Sequence, residues 1–348
     1  MSTPIVYLRD VQKRPRFFQL WEKRRHTREV HWAMECFAEM LGVFFYVYFG
    51  IGSQVGWNFG NVTQAVGFSS VLQIGLAYAM GIVFAISVCS STSGGHFNPC
   101  MTIAYCTFRG FPKIKGLRYI VAQLLGAYIG ALVVYTQWKE FIVAAEGTLE
   151  QAGTLASLQF TPNGPVGSFA NFLAPGQTLP RVFMNEYVTC TVLAIIIWAC
   201  IDPTNVFVPP ATGTFVIALA YATAIWGFAV PGVSLNAARD VGARLAAMTI
   251  WGLEAKGSSY SAITALVNIP ATLTAAFIYE FFLTDSDRVV DSAHLEFINV
   301  HANHRRLRSS VIAEKRNSRV QSLVNFADSN SQEKPIVTLE DMPTENQV

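Results

Sequence analysis

Six long runs of apolar residues dominate the pattern of hydrophobic and polar positions along the chain. A helix that crosses a membrane needs about 20 mostly apolar residues. Segments of that length lie at about 33–53, 67–89, 117–138, 182–201, 211–230 and 261–283. The pattern therefore predicts an all-α membrane protein with six transmembrane helices and both termini on the same side of the bilayer.

Two further apolar stretches, 98–108 and 236–247, are too short to cross a membrane. Each begins at an asparagine, and each follows a loop of small residues, at 93–97 and 231–235. Irregular backbone is tolerated at membrane depth only where it is buried in protein or lines a watery cavity. The two stretches are therefore predicted to be re-entrant half-helices.

The chain also contains an internal repeat. Glu39 in the first span and Asn98 after the second are matched by Glu186 in the fourth span and Asn236 after the fifth. Three spans in each half give the second copy the opposite orientation in the membrane. Such inverted repeats place a shared site near the midplane, between discontinuous helices. The two copies cover about 32–138 and 182–283.

Composition supports this interpretation and narrows the function. Only 14% of the 348 residues are charged while 52% are hydrophobic, which disfavours a soluble enzyme. The net charge of +2 indicates no nucleic-acid partner. Six scattered cysteines show no metal-ligand spacing. We therefore expect no cofactor, no metal and no catalytic residue.

The positions of the basic residues predict which segments are cytoplasmic. The basic arm 1–31 and the link after the second span, which carries Arg109, Lys113, Lys115 and Arg118, are cytoplasmic by the positive-inside rule. The membrane domain is then 32–283, with a long outer loop at 139–181. The polar segment 284–348 is predicted to be a cytoplasmic tail, largely disordered. Within its basic cluster, Ser309 and Ser310 are candidate phosphorylation sites.

The loop motifs carry a resemblance to a known family. Ser93-Gly94-Gly95-His96-Phe97-Asn98-Pro99, the downstream Asn236-Ala237-Ala238-Arg239-Asp240, and the paired Glu39 and Glu186 resemble the aquaporin and aquaglyceroporin family over about 32–283. The opening residues 35–42 and the charged tails are similar to fungal members. The resemblance implies the aquaporin fold, a homotetramer with one pore per subunit, and a place in the plasma membrane.

Both midplane motifs depart from the family's Asn-Pro-Ala. The first reads Asn98-Pro99-Cys100 and the second reads Asn236-Ala237-Ala238. Losing the proline removes a residue that presets the helix start, but alanine is an excellent helix former. We expect the second half-helix to form with a less rigid start, and the thiol to narrow or reshape the midplane.

The resemblance also implies a selectivity filter. Arg239 matches the outer aromatic/arginine constriction, and Tyr78, Ala224 and Val233 carry over by their distance from the two asparagines. Water-selective members usually have His at the Ala224 position and glycerol-conducting ones Gly, so the small Ala predicts a wider opening. Three alternatives stay open: Thr223 lines the filter instead, Arg239 only anchors a loop through a salt bridge, or the asparagines are merely helix caps.

The remaining polar residues of the membrane domain are assigned to support by the same resemblance. Glu39 and Glu186 are expected to accept hydrogen bonds from loop N–H groups rather than relay protons. Asp240 is expected to pair with Arg244 or with backbone N–H groups and hold the outer loop open. His96 is expected to line the inner vestibule, with pH gating as an alternative.

These residues predict a passive channel that conducts glycerol or other small neutral solutes and water while excluding protons and ions. A water-selective channel with little glycerol flux is the first alternative. A non-conducting membrane adhesion or scaffold protein is the second, because the Asn-Pro-Ala motifs are altered and the tails are long. The expected partners are membrane lipid, the solutes and further copies of the chain.

Overall fold

The computed structural model describes residues 5–302. Within them the chain forms two compact units, one of which is Arg28–Phe297 while the other consists of the residues flanking it. The membrane spans and the candidate site all belong to Arg28–Phe297. The domain boundaries predicted at 31 and 283 stay predictions, and Ser309 and Ser310 lie outside the described residues.

The described part of the chain is helical. Its α-helices are α1 (Leu8–Val11), α2 (Arg16–Arg25), α3 (Arg28–Thr63), α4 (Val71–Ser93), α5 (Pro99–Phe108), α6 (Lys113–Gln151), α7 (Leu155–Leu158), α8 (Leu179–Cys200), α9 (Pro210–Phe228), α10 (Ala237–Trp251), α11 (Tyr260–Leu266) and α12 (Asn268–Phe282). Short 3₁₀ turns occur at Pro165–Ser168 and Leu253–Lys256, and a further helix begins at residue 292.

Six helical segments of residues 5–302 are long and apolar enough to cross a membrane. They are α3, α4, α6, α8, α9 and the α11–α12 pair. Their outward faces are apolar: Leu117, Val121 and Leu125 repeat every four residues on α6 and are 60%, 59% and 47% exposed. A surface of this kind is stable against lipid and not against water. The chain is an integral membrane protein, and the six predicted spans are confirmed.

Two of these helices run further than hydropathy predicts. α3 continues from the predicted end at 53 to Thr63, and α6 from 138 to Gln151. The added part of α3 contains polar residues that bond to the outer loop, such as Asn58, whose Nδ2 lies 3.1 Å from the Gly164 carbonyl. Hydropathy detects only the lipid-embedded length, so the outer connection is helical where the sequence predicts a loop.

The helix pairings follow the inverted repeat. α3 packs on α4 and α6, and α8 packs on α9 and α12 in the same way. The halves also exchange contacts, because α10 of the second half packs on α6 while α5 of the first packs on α12. Six spans, two half-helices and a repeat of three spans and three spans are the arrangement that the resemblance implies.

Small residues let the helices of the first half approach closely. A Cβ added at Gly81 of α4 would lie 2.9 Å from the Phe45 carbonyl oxygen of α3. One added at Gly126 of α6 would overlap the Met40 carbonyl of α3. Close backbone approach at small residues is how helices associate where lipid supplies no hydrophobic driving force.

Candidate functional site: a pore between two half-helices

Both half-helices begin at a capping asparagine. Asn98 Oδ1 accepts a hydrogen bond from the Cys100 backbone N–H at 3.0 Å. Asn236 Oδ1 accepts from the backbone N–H groups of Ala238 at 2.9 Å and Arg239 at 3.3 Å. These bonds satisfy N–H groups that a helix start leaves without intrahelical partners. Capping is therefore one function of each asparagine, and it uses only the side-chain oxygen.

The amide nitrogens of the same asparagines reach into the opposite half. Asn98 Nδ2 donates to the Leu235 carbonyl at 3.2 Å, and Asn236 Nδ2 donates to the Phe97 carbonyl at 2.9 Å. The two half-helix N-termini therefore meet head to head, and their partial positive charges of about half an elementary charge each converge. Each amide also carries a second N–H that can donate to a solute.

Glu39 of α3 holds the first re-entrant loop. Its carboxylate accepts hydrogen bonds from the backbone N–H of His96 at 3.0 Å and of Phe97 at 2.8 Å. A third bond comes from Gln123 Nε2 of α6 at 2.7 Å. Glu39 is fully buried. The loop is thus pinned to two transmembrane helices through one carboxylate.

Glu186 of α8 repeats this arrangement in the second half. Its carboxylate accepts from the backbone N–H of Ser234 at 2.6 Å and of Leu235 at 3.0 Å. Asn268 Nδ2 of α12 supplies the third bond at 3.0 Å. The Cys190 thiol donates to Glu186 at 3.4 Å, and the Ser93 side chain interacts with Glu39 in the first half. Both carboxylates therefore satisfy loop N–H groups that have no helix partner.

The residue before each asparagine has a left-handed backbone. Phe97 has φ of 48° and Leu235 has φ of 62°. Such a conformation costs a residue with a side chain about 1 kcal/mol or more. It persists because the N–H of each residue is bonded to its carboxylate and the carbonyl of each accepts the opposite asparagine. The strain turns both loops sharply into their half-helices.

The two departures from Asn-Pro-Ala lie against each other. α10 begins at Ala237 directly after its cap, without a proline. The backbone N–H of Ala237, which a proline would lack, interacts with the Cys100 sulfur. Cys100 is 1% exposed, and Pro99 and Ala238 are also buried. Ala237, which stands where the family has proline, and Cys100, which stands where the family has alanine, thus interact across the midplane.

Arg239 is held entirely by neutral oxygens. Its Nε donates to the Tyr78 hydroxyl at 3.1 Å, and Nη2 donates to Gln54 Oε1 at 3.1 Å. The carbonyls of Ser168 and Phe169 in the outer loop accept from Nη2 and Nη1 at 3.2 and 3.3 Å. Among residues 5–302 it makes no ion pair within 4.0 Å, so the salt-bridge alternative is not what holds it.

An outer cavity of about 400 Å³ leads to this arginine. Tyr46, Tyr78, Val233 and Arg239 all contribute to its wall. The cavity wall includes Ile225 near the end of α9, whereas Ala224 is buried just outside it. The structure thus brings together three of the four filter residues predicted from the resemblance around one cavity.

Three tyrosines link the cavity wall to the asparagine pair. The Tyr46 ring centroid is 4.9 Å from that of Tyr78 and 5.8 Å from that of Tyr221. Tyr221 in turn interacts with the Asn98 side chain. All three tyrosines are 5% exposed or less. Packed tyrosines therefore connect the cavity wall to the midplane asparagines.

Asp240 joins the outer loop to the second half-helix. Its carboxylate pairs with Arg244 Nη2 at 2.9 Å and accepts from the Thr264 hydroxyl at 2.8 Å. Asn171 of the outer loop donates to it at 3.3 Å, and Arg244 Nη2 donates back to the Asn171 carbonyl at 2.8 Å. Asp240 is fully buried and is not one of the residues that line the cavity.

His96 lies at the other end of the first loop, enclosed by aromatic rings. Its Nδ1 is 3.1 Å from the Thr102 hydroxyl. The ring stacks on Tyr105 with centroids 4.4 Å apart and lies 4.5 Å from Phe111 and 5.3 Å from Tyr119. It is 8% exposed. The inner side of the loop is thus more crowded than an open vestibule.

Residues 26–284 match the model of the major intrinsic protein family. The chain belongs to this family. It is 61% identical to an aquaporin of Laccaria bicolor over 96% of this chain and 99% of that one. It is 32% identical to aquaglyceroporin-2 of Rhizophagus irregularis, over 78% of this chain and 82% of the relative.

A solved structure supports the fold. The aquaglyceroporin from Plasmodium falciparum superposes with a TM-score of 0.60 at 21% identity, covering 72% of this chain and 97% of that one. Aquaporins of this family are channels for water and small solutes in membranes, not enzymes. Within residues 5–302, no group of three or more His, Cys, Asp or Glu side chains could hold a metal ion.

Sequence reasoning missed several residues of this aquaporin's pore. Gln54 and Tyr46 lie on α3, and Tyr221 lies on α9. Tyr46 follows Glu39 by seven residues, two helical turns, and Tyr221 precedes Ala224 by three, one turn. That spacing puts each on the same helix face as a residue already singled out, and it was the available signal. For Gln54 the sequence gives no such signal, because only the folded chain brings it next to Arg239.

Proposed function

We propose that this aquaporin is a passive channel for glycerol, other small neutral solutes and water, and that it excludes protons and ions. The observation that carries the proposal is Arg239, a buried guanidinium held by neutral oxygens in the wall of the outer cavity. A charge at membrane depth is expensive to bury and is a functional feature by default.

Exclusion of cations rests on two positive barriers in series. Arg239 supplies the outer one, with Tyr78, Ala224 and Val233 proposed as the other filter residues. The converging half-helix N-termini supply the second at Asn98 and Asn236. A water that accepts hydrogen bonds at the asparagines cannot also belong to an unbroken chain of donors, so proton transfer along the file is interrupted.

Conduction of glycerol requires a wall with both apolar and polar parts. The outer cavity supplies them, since Val233 and Ile225 lie in the same wall as Arg239 and Gln54. The small Ala224 leaves space that a histidine would fill. The pairing of Asp240 with Arg244 supports an outer loop that is held open above the filter. Relatives described as aquaglyceroporins are consistent with this substrate class.

One observation favours a second candidate, a water-selective channel with little glycerol flux. Tyr46 of the cavity wall packs on Tyr221, with ring centroids 5.8 Å apart, and Tyr221 interacts with the Asn98 side chain. We propose that these rings line the route to the asparagines and leave less room for glycerol than for a single water. Replacing Tyr221 by alanine is expected to raise glycerol flux several-fold more than water flux.

The proposal extends to the assembly and its place in the cell. We propose a homotetramer with one pore per subunit, surrounded by membrane lipid, in the plasma membrane. The N- and C-termini are proposed to be cytoplasmic, because the basic arm and the link with Arg109, Lys113 and Lys115 follow the positive-inside rule.

Stopped-flow light scattering on proteoliposomes tests the function directly. The vesicles are challenged first with an impermeant osmolyte and then with glycerol, and empty liposomes provide the baseline. We expect both fluxes to exceed the baseline. Water flux alone would select the second candidate, and neither flux would contradict the channel. The scaffold alternative gains support only in that last case.

A further inference from the structure

The short helix α2 (Arg16–Arg25) presents large apolar side chains to its surroundings. Phe17, Phe18, Leu20 and Trp21 are 74%, 43%, 52% and 40% exposed, and α2 contains no buried residue. At about 100° per residue, these four positions fall within one arc of about 160°. Arg24 and Arg25 of the last turn fall in the same arc, where their long side chains can extend to the headgroups. A water-facing helix with such a face would be unstable, so this face requires a partner.

The charges around that face indicate the chemistry of the partner. Between residues 13 and 25 the sequence carries six Lys or Arg and a single acid, Glu22. Glu22 is paired with Arg14 at 2.9 Å, which leaves the segment strongly basic. Helices with aromatic residues on one face and cations around it lie in the plane of anionic membranes. Six cations in 13 residues would repel a basic protein surface.

The chain tethers α2 covalently to the start of the first span. Only two residues separate it from α3, so the end of α2 lies at most about 11 Å from the start of α3. At the start of α3, the Trp32 ring lies between two guanidinium groups, with Arg28 at 4.3 Å and Arg118 at 4.0 Å from its centroid. Tryptophan and arginine at a span's end mark the level of the lipid headgroups. α2 is therefore tethered at that level.

We propose that α2 is an interfacial helix that binds anionic lipid. Phe17, Leu20 and Trp21 enter the boundary between headgroups and acyl chains, and the basic residues contact the lipid phosphates and carboxylates. Apolar contact and charge act together, since one alone gives only marginal binding. This goes beyond conduction and does not depend on which solute passes the pore.

Hydrogen exchange of the full-length protein tests the proposal. The protein is reconstituted in nanodiscs of phosphatidylcholine alone, in nanodiscs with added phosphatidylserine, and in uncharged detergent. Exchange of the amides in 16–25 is followed by mass spectrometry. We expect slower exchange with phosphatidylserine, and about a fivefold loss of that protection for each of Arg24→Gln and Arg25→Gln. High salt should reverse it in part.

A pair of matched variants separates the apolar face from the rest of the helix. Phe17→Ser removes a side chain from the proposed lipid face, whereas Gln19→Ser makes the same new residue on the opposite face. Phe17→Ser should abolish most of the protection and Gln19→Ser should keep it. Equal exchange in all three environments would overturn the proposal. Equally strong protection in uncharged detergent would overturn it too, because the binding would then not require anionic lipid.

Discussion

The two re-entrant loops share one scaffold and differ in their chemistry. In each, a buried glutamate accepts two loop N–H groups and one side-chain amide, from Gln123 on one side and Asn268 on the other. Three residues past the asparagine, however, the first half has Met101 and the second has Arg239. The hydrogen-bonded scaffold follows the repeat while the charge does not, so the two vary independently between the halves.

The next position shows the same division. Thr102 of the first loop bonds within its own half, to His96 and Gln123. Asp240, its counterpart, reaches outward to the loop residue Asn171. Asp240 thus bonds to the long outer loop, whereas Thr102 does not. Two backbone carbonyls of the same loop accept hydrogen bonds from Arg239. The asymmetry follows from two adjacent charged residues, Arg239 and Asp240, which the second half-helix has and the first lacks.

The strongest test of the shared frame is removal of either glutamate. Glu39→Ala and Glu186→Ala each leave at least three buried donors without an acceptor, at about 1–3 kcal/mol apiece. We expect each variant to lose about 3 kcal/mol or more of stability, seen as a large fall in the thermal unfolding midpoint in detergent. Glu150→Ala, at an exposed position of α6, is the control. If only one of the two glutamate variants keeps its unfolding midpoint, the two glutamates are not equivalent supports.

The asymmetry of charge is tested by making the two loops alike. Arg239→Met gives the second loop the residue of the first and removes the outer positive barrier. We expect cation or proton leak to rise by tenfold or more, since a unit charge at about 4 Å is worth roughly 4 kcal/mol at an effective dielectric of 20. A pH-sensitive dye inside proteoliposomes measures it. Met101→Leu should change nothing; an equal leak there would mean that the charge is not the barrier.

The width of the outer filter is tested at Ala224. Ala224→His is expected to cut glycerol flux about tenfold while water flux changes far less, because steric discrimination of this size is worth roughly 1–3 kcal/mol. Thr223→His is the matched neighbour, and stopped-flow measurements compare the two. If Thr223→His has the larger effect, the lining residue is one position earlier. Equal losses of both solutes would mean that the filter is elsewhere.

The smallest effect concerns the start of the second half-helix. Ala237→Pro should stabilise by about 0.4–1 kcal/mol through its preset φ, but it also removes the N–H that meets the Cys100 sulfur. In a Cys100→Ala background that loss is absent, so the gain should be larger by about 0.5 kcal/mol. A double-mutant cycle on unfolding midpoints measures the coupling. Strict additivity would show that the two departures are independent.

Much of the fold follows from local sequence. The length of an apolar run fixes whether it can cross the bilayer, and the loops before Asn98 and Asn236 fix where the half-helices begin. Glu39 and Glu186 follow too, because an intramembrane carboxylate needs donors and the repeat supplies two sites. The ends of α3 and α6 did not follow, since their last turns are stabilised by contacts with the outer loop and not by lipid.

The partners in the pore were decided only by the tertiary structure. Gln54 and Arg239 are separated by 185 positions in the chain, and the Ser168 carbonyl that also holds Arg239 belongs to a loop without a motif. Tyr46 and Tyr221 come from different halves. Sequence determines which residues are costly to bury, because that depends on each side chain alone. Which neutral groups meet them depends on how distant helices pack, and that is settled only when the chain folds.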